Sequence, residues 1–264
     1  MESSYSARKC SRPVFPPPPH LVKTNAMPQK PSFKKISGFT LVEILVVISI
    51  IGALAAVSFV AVRSFRGSAR MTACASNMRQ IGVAMQLYAD DHQGSYPDTS
   101  HTATPDTAWI YQLESYLGKF DQIRICPADP SAELRRKNKA SSYILNSYVF
   151  QTPLDAFGEP MGTARNKLSM LPDPSRTILV FIASDRTGLY PGDDHTHSEQ
   201  WSSWTKVISD IAPDRHKQKP SRNATKGYSN YLYADSSVRS ISAYDIKEKI
   251  DKGNNIAAIP GVDP

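Results

Sequence analysis

The chain has 264 residues, 31 Lys/Arg against 24 Asp/Glu, a formal net charge of +7 and three cysteines. That length holds one domain with a real core beside a separate segment. Residues 1–38 carry seven Lys/Arg and one Glu, so +6 of the +7 lies there and +1 is left for residues 39–264, where no basic stripe with interleaved aromatics occurs; nucleic acid is not an expected partner.

In chain order, residues 1–38, with Pro16 to Pro19 and many Ser and Lys, cannot bury a core and are expected to be disordered. Translation from Met1 and from Met27 are both compatible with the sequence. From Phe39 to Val62 a single charge, Glu43, interrupts 24 residues. At about 1.5 Å per residue this is roughly 36 Å of helix, enough to cross a bilayer with tilt. A carboxylate at mid-membrane costs about 2.5–3.5 kcal/mol, so Glu43 is a site candidate that needs a partner. A secretory signal peptide cut near Ala53-Leu54-Ala55 would have too long an apolar region and an unexplained acid. An unprocessed anchor explains the span but not Gly38-Phe39-Thr40-Leu41 or Glu43. The flanks do not orient the segment: Lys23, Lys30, Lys34 and Lys35 precede it, and Arg63, Arg66, Arg70 and Arg79 follow.

Met71, Cys74, Met78, Ile81, Met85 and Tyr88 alternate steps of three and four, which predicts an amphipathic continuation of the helix over 63–93, ending near His92. Gly94 and Pro97 mark the stop. Residues 94–264 are expected to form a globular α+β domain. A short helix is predicted over Trp109 to Leu117, and strands over Ser142 to Phe150, Arg176 to Ala183, Tyr228 to Ala234 and Val238 to Ala243. Asp235-Ser236-Ser237 is expected to turn the last hairpin. The predicted architecture is α+β, a long N-terminal helix packed on an antiparallel sheet.

The run Lys34-Lys35-Ile36-Ser37-Gly38-Phe39-Thr40-Leu41-Val42-Glu43 resembles the prepilin signature of type IV pilins and type II secretion pseudopilins. The resemblance implies a cut between Gly38 and Phe39 by a prepilin peptidase, removal of 1–38, methylation of the new N-terminus, a cytoplasmic N-terminus and an exported C-terminal domain. It implies a bacterial inner-membrane protein whose partners are that peptidase, other pilin or pseudopilin subunits, an inner-membrane assembly platform and membrane lipid. Glu43 becomes the fifth mature residue, placed to neutralise a neighbouring subunit's ammonium in a low-dielectric bundle. The stretches Cys74-Ala75-Ser76-Asn77-Met78-Arg79-Gln80-Ile81-Gly82, Tyr88 to His92 and Cys126-Pro127-Ala128-Asp129 narrow the likeness to pseudopilin-like proteins of planctomycetes and verrucomicrobia. Those often end on a histidine followed by an Asp-Gly pair. Here eighteen residues separate His216 from Asp235, and Ser236 replaces the glycine.

Cys10 falls in the leader, leaving Cys74 and Cys126. In an oxidising compartment the pair can form a disulfide worth about 2–4 kcal/mol; equally, Cys74 reads as a small core residue on the helical stripe. Asp193, Asp194, His195, His197 and Glu199 are a dense group of potential ligands without ligand-fixing spacing, so a solvated acidic loop is expected and no metal. Trp201, Trp204 and Tyr190 read as core or as an aromatic platform. No nucleophile motif appears, so no catalytic residue, cofactor or enzyme activity is expected. The leading function is a structural filament subunit; the alternative is a membrane-anchored ligand- or carbohydrate-binding module that does not polymerise.

Overall fold

The computed structural model describes residues 38–152, 157, 159, 161–216 and 223–262, with the side chains at 57 and 60–64 left aside. The expected leader, Cys10 and the two candidate start sites lie outside the described residues. Helix α1 runs over Leu41–Asp91, 51 residues. Its start is a capping box: the Thr40 amide and hydroxyl donate to Glu43 Oε2 at 2.8 and 2.9 Å, and the Glu43 amide donates to Thr40 Oγ1 at 3.2 Å. Its end is close to the predicted one, because Gln93 and Gly94 adopt positive φ (55° and 79°) and the Gly94 amide returns to Ala89 O.

The chain divides into two units, 1–50 and 51–264. In the first, the described apolar side chains are exposed, from Phe39 at 81 % through Leu45, Ile48 and Ile50. Among the described residues no helix is long and apolar enough to cross a membrane. The span expected over 39–62 is therefore not shown.

The second unit is built on a four-stranded antiparallel sheet in the order β1-β2-β3-β4, formed by Tyr143–Leu145, Ile178–Ile182, Tyr228–Tyr233 and Val238–Ser242. The predicted strands all occur, the first much shortened. Asn146 breaks it: its side chain accepts from the Tyr148 amide to cap a helical turn, Ser147–Phe150, and donates to Ile178 O and Ala257 O. Trp109–Leu117 forms a helical turn, Trp109–Gln112, followed by a 3-10 turn, Glu114–Tyr116. The β3–β4 turn uses Asp235 as expected: its side chain accepts from the Ser237 amide while Ser236 takes a φ of 63°.

Strand alternation sends side chains to two cores. On one face Tyr143, Leu145, Val180, Ile182 and Leu232 meet Cys74, Met78, Ile81, Ala84 and Met85 of α1. On the other, Ile144, Phe181, Tyr231 and Tyr233 are covered by Trp201, Val207, Ile246 and Ile250. The last two belong to a helix over Ala243–Asp251, capped by Ser242, and Val207 to one over Trp204–Asp210. Neither helix was expected. α1 sits close to the sheet at Gly82, where an added Cβ would lie 2.8 Å from Leu232 Cδ1. Amide side chains tie the helix down: Asn77 donates to Ile125 O, Gln86 to Ala234 O, and Asn230 to Met71 O.

Under the segment after Cys126 a buried ionic knot forms. Arg135 Nε donates to Asp129 Oδ2 at 2.7 Å with both side chains fully buried, and its remaining donors reach the carbonyls of Ser141, Ser184, Thr187 and Gly188. Ser142 Oγ also donates to Asp129, and Arg215 lies 3.9 Å from it while pairing with Asp185. Such a pair holds geometry because removing one member leaves the other charge buried and unmatched.

Candidate functional site

The N-terminal signature is presented at a helix start. Gly38 has open space around it, Phe39 is exposed, and Glu43 sits in the first turn. The carboxylate already has partners in Thr40, so its geometry is explained locally before any neighbour is invoked.

In the globular domain, α1 and the segment before Pro127 bring Cys74 and Cys126 side by side. Both are free thiols and fully buried. His216 joins them, the three ligand atoms lying within 4.8 Å of one another, and the Tyr143 hydroxyl is 3.6 Å from Cys74 Sγ. The backbone amide of His216 donates to Tyr228 O, whereas its two ring nitrogens have no hydrogen-bond partner. The adjoining Cys126 thiol holds the Cys74 thiol down to about 5, helped by His216 and opposed by burial; Cys74 and burial in turn push Cys126 up. The spacing could not place His216 here, since it is 142 positions beyond Cys74. His216 and Asp235 are not brought together: the first pairs at the Tyr228 end of β3 and the second turns the chain after Tyr233.

The Asp193–Glu199 stretch is not the solvated loop expected from its composition. Asp194, His195, Thr196 and Ser198 are buried, because the stretch runs beside β1: the Leu145 amide donates to Asp194 O and the Thr196 amide to Leu145 O. That extended run turns Thr196 toward Ser147 and leaves His195 and His197 near each other, ring centroids 5.5 Å apart. A third ring, His101, arrives from a distant segment, its Nε2 3.3 Å from His195 Nε2 and its ring stacked on His197. The two carboxylates at the ends of the stretch are spent elsewhere: Asp193 accepts from the Gly188 amide and Glu199 from Ser147 Oγ. Burial, with the neighbouring His195 and His197, lowers the pKa of His101. Trp201 is core, edge-on to Phe181 and donating to Asp210, while Trp204 donates to Asn223 O and Tyr190 is exposed, so the three rings make no shared platform.

An apolar helix start behind Gly38-Phe39 runs on into an amphipathic half whose buried stripe packs on the sheet. Residues 33–59 match the family described as "Prokaryotic N-terminal methylation motif", and residues 63–146 that described as "Protein of unknown function (DUF1559)". The two matches support a type IV pilin-like protein with a prepilin-type N-terminal methylation motif. No curated protein and no solved structure matches it.

Proposed function

We propose that the chain is a structural subunit, a pilin or pseudopilin, of a type IV pilus or type II secretion-like filament and not an enzyme. In this reading a prepilin peptidase cuts between Gly38 and Phe39, the new N-terminus is methylated, and 39–62 crosses the bacterial inner membrane with its start on the cytoplasmic side. Residues 94–264 are then exported. The observation that carries the reading is the exposed apolar first part of α1 directly behind the processing signature. An apolar surface of that extent calls for lipid or neighbouring helices.

Glu43 favours a second reading to a specific degree. Its capping bonds to Thr40 explain the acid in a chain that is only anchored and binds a ligand without polymerising. One substitution separates the two, because glutamine also completes a capping box and carries no charge. Glu43→Gln is expected to abolish assembly while membrane insertion persists; filaments formed normally by the variant would leave the anchored module. Intact mass of the membrane-extracted protein, with and without the peptidase, is expected to show a methylated Phe39 start only with the enzyme. An intact leader under both conditions would sink the filament reading.

A further inference from the structure

The geometry points to a site for one zinc-class divalent cation, held by His101, His195 and His197, with Asp194 and Thr99 fixing the His195 ring. It lies in the globular domain and does not depend on whether the chain polymerises.

The three rings offer nitrogens within 4.8 Å of one another. Two imidazoles on a tetrahedral zinc, at about 2.0–2.1 Å each, stand roughly 3.3–3.4 Å apart. His195 Nε2 and His101 Nε2 are 3.3 Å apart. The tautomer of His195 follows from its other side: Nδ1 faces Asp194 Oδ1 at 3.1 Å and Thr99 Oγ1 at 3.0 Å. A carboxylate accepts and never donates, so the proton sits on Nδ1 and the Nε2 lone pair points at the other rings. A carboxylate behind a histidine in this way is the usual outer support of a metal-bound imidazole.

A simple hydrogen bond from His101 to His195 accounts for one contact and leaves two features standing. One is His197, stacked on the same ring. The other is Asp194, buried, with Oδ2 lacking any partner. Among the described residues its ion-pairing partner is His195 alone, with no Lys or Arg. A buried carboxylate needs a compensating cation, and one among the three rings supplies it through His195. The donor set selects the metal: with the carboxylates of Asp193 and Glu199 bonded elsewhere, three nitrogens suit zinc rather than calcium or magnesium. His101 is exposed, which leaves an entry path and a fourth position for water. Its loop is seated by Gly192, where a Cβ would fall 2.4 Å from His101 O.

The test uses the full chain in detergent, stripped with chelator and titrated with Zn2+ and, separately, Co2+. One zinc per chain is expected. His101→Ala and His197→Ala should each weaken binding at least about tenfold, and Asp194→Asn, acting through His195, about 10–100-fold. His101→Gln keeps a polar side chain on the exposed loop, and unchanged circular dichroism in it shows that lost binding is not lost folding. The Co2+ form should lack a thiolate charge-transfer band. Absence of bound zinc, wild-type affinity in both histidine variants, or a thiolate band removed by Cys74→Ser would overturn the assignment, the last by moving the metal to the cysteine pair.

Discussion

Two stretches of α1 show how hydrophobic pattern, more than hydrophobic content, decides where a helix goes. Residues 41–56 are apolar almost all round and their described side chains are exposed. Residues 74–89 are apolar on one stripe, and that stripe, Cys74, Met78, Ile81, Met85 and Ala89, is buried on the sheet while Val83 and Leu87 stay outside. A helix without a polar face has no surface to leave in water, so one domain cannot satisfy it; a striped helix is satisfied by its own chain.

The sharpest way to break that contrast is to truncate one residue on each side. Met78→Ala should cost about 2–5 kcal/mol in denaturant unfolding of the full chain, whereas Ile48→Ala should stay within about 0.5 kcal/mol. Equal losses would mean that the first stretch packs on the domain. A smaller, pH-dependent effect is expected at Cys74. Its folded pKa lies below the ordinary thiol value, so the stabilisation is complete above that value and is lost as pH falls through about 5. The melting-temperature gap between the reduced wild type and Cys74→Ser should therefore shrink from pH 8 to pH 5; a flat gap would mean that Cys74 does not ionise. Gly82→Ala should cost about 1–3 kcal/mol through the clash with Leu232. By contrast Gly52→Ala, with nothing within 4 Å, should stabilise its helix by about 0.5–1 kcal/mol. Thr40→Ala should remove about 0.5–2 kcal/mol at the helix start, read as faster amide exchange in the first turn only.

The helix and its stop were legible because both are local: a three-four spacing, then Gly94. The four strands were located by their apolar runs, but their lengths were not, since Asn146 ends β1 through bonds to Ile178 and Ala257, far along the chain. The Ala243–Asp251 helix did leave a signal, Ser242 followed three residues later by Asp245 and then by Ile246 and Ile250 four apart. The neighbouring strand pattern masked it. The candidate site was half visible. His195 and His197 stood out as a cluster, but His101 lies 94 residues before His195 and reaches it only through tertiary packing. Burial of Asp194 likewise depends on the pairing with β1, which composition does not encode.

The side-chain amides that fasten α1 carry a mechanical consequence. Asn77, Gln86 and Asn230 link the helix to the domain at three points spread along its length, Met71, Asn77 and Gln86. A pull on residues 51–70 along the helix axis would load these links in parallel, as shear, together with the Met78 to Met85 packing, so that they share the force and fail together. A pull across the axis would instead peel them one at a time from the Met71 end. The joint is strong along the axis and weak across it, the directional behaviour suited to an element that bears tension lengthwise.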